Sequence, residues 1–274
     1  MKMNLGKTQS SRQAAATVYH ALRPTTEVVM LGAKYRLRSE TRPRTAGDRD
    51  YAVLRALAQD KHCILDVGAN VGLTALVMAE TMAPDGRIFA FEASERGSYL
   101  IRDNAMLNGL GERVTVVNAL IADRSGLALD FYGDAASGSA SIIPGYLDHT
   151  RPLSKATLAL DDFISAHGIT PELIKIDIEG AELKALAGLT QTMRTIRPLV
   201  FVELHSWGDV TASGTVACLL PQLAALAYHV VYLRSKAIVT DAAVLADRGR
   251  CHVVLCPHES PFLEQLATLN ADGL

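Results

Sequence analysis

The stretch that decides the fold is ILDVGANVGLTALVMA, residues Ile64–Ala79. Its apolar start is typical of a buried strand that ends near Asp66, and LTALVMA at its end is typical of a helix. Between them the chain turns through GANVG, where Gly68 and Gly72 allow the backbone to approach a ligand without a Cβ clash. The stretch therefore predicts a strand, a ligand-binding turn and a helix, which is the first unit of a doubly wound α/β fold.

The glycine spacing also indicates the kind of ligand. Gly68 and Gly72 fit D-x-G-x-x-x-G, whereas a dinucleotide fold would need G-x-G-x-x-G at the same turn. A pyrophosphate binds at a helix N-terminus, while an amino-acid zwitterion also needs carbonyls and a carboxylate for its ammonium group. The next predicted strand ends in FAFEAS and places Glu92 where it can accept both ribose hydroxyls of a nucleoside. This combination favours a nucleoside cofactor with an amino-acid part.

Strands and helices alternate along the rest of the chain with short connections, which predicts a mostly parallel sheet covered on both faces. The predicted strands are Cys63–Val67, Arg87–Glu92, Val114–Asn118, Leu173–Asp177, Leu199–Leu204, His229–Leu233 and His252–Cys256. The predicted helices are Asp48–Ala58, Val71–Met82, Ser94–Asn108, Leu160–Ala166, Gly180–Leu189 and Val216–Ala227.

Two segments do not follow this alternation of strands and helices. Residues 1–47 are interpreted as an extension, with a helix near the start and a hairpin over Glu27–Arg38 that turns at Gly32, ahead of one domain over 48–274. A disordered or cleaved leader remains an alternative for the first 26 residues. Between Gly126 and Thr157, LALDFYGD predicts an extra strand, and the small-residue loop Gly133–Gly145 is expected to lie over the active site.

Composition limits the class of protein. The net charge is −2 and basic residues do not run together, so nucleic acid is not an expected partner. No apolar stretch is long enough to span a membrane. The four cysteines form no CxxC pair and are expected to be reduced and buried, which favours a soluble cytoplasmic protein. A small-molecule or glycan acceptor is the expected partner, and a homo-oligomer is left open.

Further motifs give the chain a family resemblance. LDVGANVG, N-x-x-x-N-G from Asn104 to Gly109, TLALDDF, LIKIDIEGAE (Leu173–Glu182) and FVELH (Phe201–His205) occur in this order. Together they resemble the FkbM-type family of S-adenosylmethionine-dependent methyltransferases, and the likeness runs from about Cys63 to His205. The family often has proline after the acid of the second strand, whereas this chain has FEAS, which puts the local backbone in doubt.

The resemblance implies a class I methyltransferase, with a Rossmann-like sheet of seven strands, an antiparallel last strand and S-adenosyl-L-methionine at its carboxyl edge. It further implies O-methylation of a sugar, a glycolipid or a polyketide-type natural product. The residues that it assigns to cofactor binding are Asp66, Gly68, Ala69, Asn70, Gly72 and Thr74 for the methionine and ribose, Glu92 for the ribose, and Asn118 and Ala119 for the adenine.

The candidate catalytic residues follow the fourth and fifth predicted strands. Asp177, Glu203 and His205 should meet beside the transferred methyl group, because ligands of open α/β sheets lie beyond the carboxyl ends of the strands. His205 is predicted to be the general base with an unperturbed pKa, oriented by Glu203. Asp177 would hold the cofactor's ammonium group or the acceptor hydroxyl. Glu179 is a further candidate, and Glu182 a weaker one, since acids at a helix start are also stabilised by the helix dipole.

Several alternatives remain at this point. A divalent metal could bind Asp177, Glu179, Glu203 and His205, but Mg²⁺ prefers oxygen ligands, so a metal is possible and not favoured. A nucleotide-dependent oxidoreductase would need the missing G-x-G-x-x-G. A nucleic-acid methyltransferase would carry an N/D-P-P-Y/F-type motif where IDIEG stands. A non-catalytic S-adenosylmethionine-binding protein is the last alternative.

Overall fold

The computed structural model describes residues 23–41, 50–133, 141–143, 152–246 and 248–271. The predicted N-terminal helix and most of the loop Gly133–Gly145 lie outside these residues. The predicted boundary between extension and domain, near residue 48, lies outside them as well.

The strands, numbered in chain order, are β1 (Thr25–Met30), β2 (Ala33–Arg38), β3 (Cys63–Val67), β4 (Arg87–Phe91), β5 (Val114–Val117), β6 (Leu120–Ile121), β7 (Ala128–Phe131), β8 (Leu153–Leu158), β9 (Leu173–Ile176), β10 (Leu199–His205), β11 (Tyr228–Tyr232), β12 (Ala237–Ile238) and β13 (Arg250–Pro257). The α-helices are α1 (Asp50–Leu57), α2 (Leu73–Ala79), α3 (Glu95–Leu107), α4 (Leu160–His167), α5 (Glu182–Ala187), α6 (Thr190–Thr195), α7 (Ala212–Ala225) and α8 (Phe262–Gln265). Short 3₁₀ helices span Ser39–Thr41 and Ala242–Leu245.

The central sheet has the order β12-β11-β13-β10-β9-β3-β4-β5. β3, β4, β5, β9 and β10 pair in parallel, while β13 pairs antiparallel with both β10 and β11. This confirms the predicted α/β class I methyltransferase sheet, but the predicted count of seven strands was one too low. The eighth strand is β12, a two-residue strand formed because the chain reverses at Lys236, where φ is positive, and returns along β11.

Both faces of the sheet are buried, as alternation along each strand requires. One face carries Leu65, Ile174 and Val202, and it packs against side chains of α4, α5, α6 and α7. The opposite face carries Ile64 and Phe201, and it packs against α1, α2, α3 and α8. Asp66, Lys175 and Glu203 follow the second pattern, so they should lie on the α1–α3 face near its carboxyl edge.

The bounds of the predicted helices differ from the observed ones, and for two of them the difference has a clear structural cause. The helix expected over Gly180–Leu189 begins only at Glu182, because Glu179 and Gly180 adopt positive φ values of 55° and 99°. A separate helix, α6, follows it. The helix expected from Val216 begins earlier, at Ala212, because the side chain of Thr211 caps it by accepting a hydrogen bond from the Gly214 N–H at 3.0 Å.

The predicted hairpin is confirmed as β1 and β2, which turn at Leu31 and Gly32. It is fixed to α3 by a buried ion pair, in which Arg38 Nε donates to Asp103 Oδ2 at 2.7 Å. Asn104 Oδ1 accepts the Arg38 backbone N–H at 2.9 Å, and the Asn108 side chain bonds both backbone groups of Arg36. The N-x-x-x-N-G motif therefore holds the hairpin on the domain.

The extra strand predicted from LALDFYGD is confirmed as β7, which pairs with β8 in a small separate sheet that also includes β6. The expectation that all four cysteines are buried was wrong. All four are free, but Cys218 is exposed and Cys63 is half-buried. Cys218 lies on the outer face of α7, which is so rich in apolar residues that its sequence does not distinguish the two faces. Among the described residues no helix is long and apolar enough to cross a membrane.

Candidate active site

A cavity lies beyond the carboxyl ends of β3, β4 and β9, and its empty space, which includes open solvent, is about 740 Å³. The order of the strands reverses between β3 and β9, and such a switch point is where open α/β sheets bind ligands. The described lining residues are Val67, Gly68, Asn70, Phe91, Glu92, Ala93, Ser94, Ala119, Leu120, Ile121, Phe131, Ser141, Ile142, Asp177, Ile178, Glu179 and Ala181. Ser141 and Ile142 belong to the loop that was expected to lie over the site, so its described part lies at the cavity.

The glycine turn is constrained by the end of the neighbouring strand β9 as well as by its place beside the cavity. Gly68 has φ +77°, and a Cβ added there would lie 1.8 Å from the backbone oxygen of Asp177. The Gly68 and Ala69 N–H groups both donate to the oxygen of Phe91, at 3.0 and 2.9 Å. Ala69 is buried and Gly72 precedes α2 with φ +89°, and neither is among the described lining residues. Glycine at position 68 therefore allows the ends of β3 and β9 to lie close together beside the cavity.

We expect Gly68→Ala to destabilise the fold severely, because β3 or the backbone of Asp177 would have to move. Gly109→Ala is the matched control, since Gly109 also has a positive φ, +73°, but a Cβ there would meet nothing within 4 Å. The control should lose only about 1–2 kcal/mol of unfolding free energy, the cost of left-handed backbone in an L-residue. Urea denaturation measures both variants, and equal losses would show that the contact with Asp177 has no effect.

Asp66 and Thr74 lie behind the turn instead of on the cavity wall. Asp66 is fully buried, and its Oδ2 accepts a hydrogen bond from Thr74 Oγ1 at 2.6 Å. Its Oδ1 lies 3.3 Å from Nζ of Lys175, which also donates to Gly68 O at 2.9 Å and lies 3.3 Å from Asp177 Oδ2. These contacts let Asp66 and Thr74 support the turn through Lys175.

Lys175 was not identified from the sequence, although a signal exists. It is a lone charge within LIKI, a strand whose residues are all buried, and a buried lysine needs anionic partners. Burial lowers the pKa of Lys175, but Asp177, Asp66, Glu203 and Asp50 outweigh that effect and raise it above its ordinary value. Lys175 is therefore a permanent cation beneath the cavity.

Glu92 lies on the cavity wall and is held by the backbone. Its Oε2 accepts the Asn70 N–H at 3.0 Å, and its Oε1 accepts the Ser94 N–H at 2.7 Å. Burial raises the pKa of Glu92 above its ordinary value, and the hydrogen bonds from Ser94 and Asn70 oppose that shift. The carboxylate is thus oriented before a ligand binds, as a ribose-binding acid should be.

The two residues expected to contact the adenine have different surroundings. Ala119 lines the cavity. The Asn118 side-chain amide instead donates to Glu92 O at 2.8 Å, to Ala93 O at 3.1 Å and to Ser98 Oγ at 2.9 Å. Asn118 therefore fixes the turn that carries Glu92.

His205, at the end of β10, is surrounded by four carboxylates. Its Nδ1 lies 2.9 Å from Glu182 Oε1, and its Nε2 lies 3.4 Å from both Glu179 Oε2 and Glu203 Oε1. Asp177 Oδ1 is 3.9 Å from the same Nε2. The predicted group of Asp177, Glu179, Glu203 and His205 is therefore brought together, with Glu182 added to it.

The charges on this cluster change the expected role of His205. Burial lowers the pKa of His205, but hydrogen bonds to Glu182 and Glu203 and the charges of Asp177 and Glu179 raise it to about 11. The sequence-based expectation of an unperturbed pKa was therefore wrong, because it considered only Glu203 as a partner. At neutral pH the ring is an imidazolium ion, which has no lone pair to accept a proton.

Asp177 is the acid of the cluster that titrates near neutrality. Burial raises the pKa of Asp177 to about 7, against the opposing charge of Lys175. Burial also acts to raise the pKa of Glu203, but the close rings of His205 and His252 and the charge of Arg250 lower it well below its ordinary value. Since 26% of its side-chain surface stays exposed, Asp177 remains accessible to a ligand in the cavity.

Glu182 was ranked too low from the sequence. It is 1% exposed, and its Oε1 accepts the Gly180 N–H at 2.9 Å in addition to its contact with His205. The left-handed residues Glu179 and Gly180 turn the chain so that the first residue of α5 faces the end of β10. Stabilisation by the helix dipole alone, the alternative kept above, does not explain this contact.

The sheet order and the cavity at the switch point are those of the class I methyltransferase fold. The family model described as the methyltransferase FkbM domain matches residues 66–221, which is more than half of the chain. The chain therefore belongs to the FkbM methyltransferase family.

Curated relatives match part of the chain at low identity. The chain is 30% identical over 161 residues to the 2-O-methyltransferase NoeI of Sinorhizobium fredii, covering 53% of this chain and 64% of NoeI. It is 23% identical over 167 residues to the hexuronic acid methyltransferase AglP of Haloferax volcanii, covering 60% of this chain and 64% of AglP. The chain thus spans less than two thirds of these relatives. A crystal structure of methyltransferase FkbM from Methylobacillus flagellatus KT superposes with a TM-score of 0.46 at 16% identity, over 72% of this chain and 44% of that one.

Proposed function

We propose that the protein transfers the methyl group of S-adenosylmethionine to a hydroxyl oxygen of a sugar, a glycolipid or a hydroxylated natural product. One observation carries the proposal. The described lining of the cavity contains three carboxylates, Glu92, Asp177 and Glu179, and no lysine, arginine or histidine. Such a wall favours a ligand with net positive charge.

Charge separates the candidate cofactors. S-adenosylmethionine carries a sulfonium and an ammonium group against one carboxylate, so it is a net cation. A nicotinamide dinucleotide carries a pyrophosphate, which this acidic lining would repel. At 4 Å, one pair of unit charges near a protein surface is worth about 4 kcal/mol. The acidic cavity therefore supports the methyl donor over the oxidoreductase alternative.

The residues present fit the donor. Glu92 would bind the ribose hydroxyls, because its two oxygens are fixed by Asn70 and Ser94 and retain further lone pairs. The apolar wall that includes Ala119 and Ile121 would receive the adenine. When bound, S-adenosylmethionine supplies an electrophilic methyl group on its sulfonium sulfur.

The cluster around His205 suggests how the acceptor is handled. Asp177, with its pKa raised to about 7, would accept the proton of the acceptor hydroxyl. His205, charged and fixed by Glu182 at 2.9 Å, would orient the carboxylate of Glu179 toward that hydroxyl. We therefore assign His205 to positioning and Asp177 to proton transfer, so the role of general base moves from His205 to Asp177.

The same cluster favours a neutral acceptor at the reacting position. Carboxylates accept hydrogen bonds from sugar hydroxyls and repel an acidic group placed beside them. NoeI is described as a 2-O-methyltransferase and AglP as a hexuronic acid methyltransferase, so saccharide acceptors occur among the relatives. A net charge of −2 argues against a nucleic-acid acceptor.

The direct test uses S-adenosylmethionine with an isotopically labelled methyl group. The protein is incubated with panels of neutral sugars, glycolipids and hydroxylated natural products, and the label is located by mass spectrometry. We expect label on an acceptor oxygen. Label on a nitrogen or carbon atom, or transfer to RNA while every hydroxylated acceptor stays unlabelled, would contradict the proposal.

A further inference from the structure

A second cluster of possible metal ligands lies beneath the cavity and is not used by the proposed reaction. Asp50, Glu203 and His252 each offer one ligand atom, and these atoms lie within 4.8 Å of one another. The three residues are buried, with exposed fractions of 8%, 4% and 4%. They come from α1, β10 and β13, and Glu203 and His252 are directly opposed in the antiparallel pair of β10 and β13.

His252 supplies a second and independent observation. Neither of its ring nitrogens has a hydrogen-bond partner, although only 4% of the residue's surface is exposed. Its Nε2 lies 3.4 Å from Glu203 Oε2, but without the angle of a hydrogen bond. Buried polar groups are satisfied in the great majority of cases, so an unpartnered imidazole requires an explanation. A metal ion between the ring and the carboxylates would provide one.

Glu203 has its two oxygens turned to different partners. Oε1 faces Arg250 Nη1 at 3.0 Å and His205 Nε2 at 3.4 Å. Oε2 faces His252. One oxygen is therefore engaged in the cluster around His205, while the other faces His252.

The donor set indicates the class of ion. One imidazole and two carboxylates suit Zn²⁺ or Mn²⁺, whereas Mg²⁺ prefers oxygen ligands only and Cu(I) prefers sulfur. In a tetrahedral site with ligand distances of about 2.0–2.2 Å, neighbouring ligand atoms are separated by about 3.4 Å, which matches the spacing of His252 Nε2 and Glu203 Oε2.

We propose that Asp50, Glu203 and His252 bind a divalent transition-metal ion of the Zn²⁺ or Mn²⁺ class. The ion joins α1 to the two strands β10 and β13 directly below the cavity. It also holds Glu203 so that its Oε1 stays turned toward His205. The ligands do not line the described cavity wall, so binding of the ion can be measured whether or not methyl transfer occurs.

A neighbouring group, Asp177, Glu203 and His205, has similar spacing. His205 is already bonded through Nδ1 to Glu182 and has three further carboxylates within 3.9 Å of Nε2. His252 has no comparable partner, so the buried cluster is the better site for an ion.

The first test measures metal binding to the purified full chain by equilibrium dialysis against Zn²⁺ alone and against Mn²⁺ alone. We expect one equivalent of at least one ion, and His252→Gln and Asp50→Asn should each weaken its binding about tenfold or more. The matched controls are His62→Gln and Asp85→Asn, an exposed pair joined at 2.9 Å that offers only two ligands. Binding that is absent in the wild type, or unchanged in His252→Gln, would overturn the proposal.

A second measurement needs no variant and so does not depend on how the variants fold. Crystals of the wild type are soaked with Zn²⁺ or Mn²⁺ and measured above the absorption edge of the ion. The proposal requires an anomalous peak among Asp50, Glu203 and His252. A peak at Asp177, Glu203 and His205, or only at surface residues such as His62, would contradict it.

Discussion

Asp177→Asn is expected to lower kcat by a factor of ~10²–10⁴, because the amide cannot accept the proton of the acceptor hydroxyl. The variant keeps the size of the side chain, and the affinity for S-adenosylmethionine should change less than the rate. The measurement is a full kinetic analysis with an acceptor found by the labelling experiment. Asp130→Asn is the control, since Asp130 is exposed on β7 next to Phe131, which lines the cavity. It should retain the wild-type rate.

The pH dependence tests the same assignment. The pKa of Asp177 is raised to about 7, so the carboxylate becomes protonated as the pH falls below that value. We expect kcat/KM of the wild type to fall on this acid side and the limb to be absent from the residual activity of Asp177→Asn. His205 stays charged across this range, because its pKa is raised to about 11. A limb that persists in Asp177→Asn but vanishes in His205→Gln would return the role of base to His205.

Lys175→Met is expected to lower the free energy of unfolding by about 3–5 kcal/mol, the usual cost of removing one partner from a buried ion pair. The substitution leaves Asp66 fully buried without its cation and removes the hydrogen bond to Gly68 O at 2.9 Å. Urea denaturation followed by circular dichroism gives the value. Lys184→Met on the exposed face of α5 is the control and should change stability by no more than about 0.5 kcal/mol.

A loss below about 1 kcal/mol in Lys175→Met would contradict this account of the turn. It would mean that the Asp66 carboxylate takes up a proton or rearranges at little cost. The aspartate variant Asp66→Asn, combined with Lys175→Met, separates these cases. If the lone buried charge causes the loss, the double variant should be more stable than Lys175→Met alone.

The fold was predictable because its signals are local. The turn at Gly68, the acid at Glu92 and the alternation of strands and helices each depend on a few consecutive residues, and all seven predicted strands occur. The eighth strand, β12, could not be predicted, because two residues at the edge of a sheet carry no periodicity. The late start of α5 could not be predicted either, because it depends on left-handed backbone at Glu179, a residue that rarely adopts it.

The sequence predicted which residues meet at the candidate site, but not how their contacts change their pKa values. The sequence placed Asp177, Glu203 and His205 at strand ends that meet, and the structure brings them together. It could not give the pKa of His205, because that value depends on Glu182, a residue 23 positions away that reaches the ring through the turn at Gly180. The sequence could not indicate that His252 lies beside Glu203 either, since that pairing requires the register of β10 and β13.

The central claim is that the acidic cavity binds S-adenosylmethionine. It is tested by comparing ligands of different charge and by changing Glu92. Isothermal titration calorimetry of the wild type should show one S-adenosylmethionine per chain and no binding of a nicotinamide dinucleotide. Glu92→Gln should bind the donor about 10–150-fold more weakly, which corresponds to about 1.5–3 kcal/mol for a hydrogen bond to a charged group. Glu95→Gln, an exposed acid at the start of α3, should bind it as the wild type does. Unchanged affinity in Glu92→Gln, or tight binding of the dinucleotide, would contradict the account.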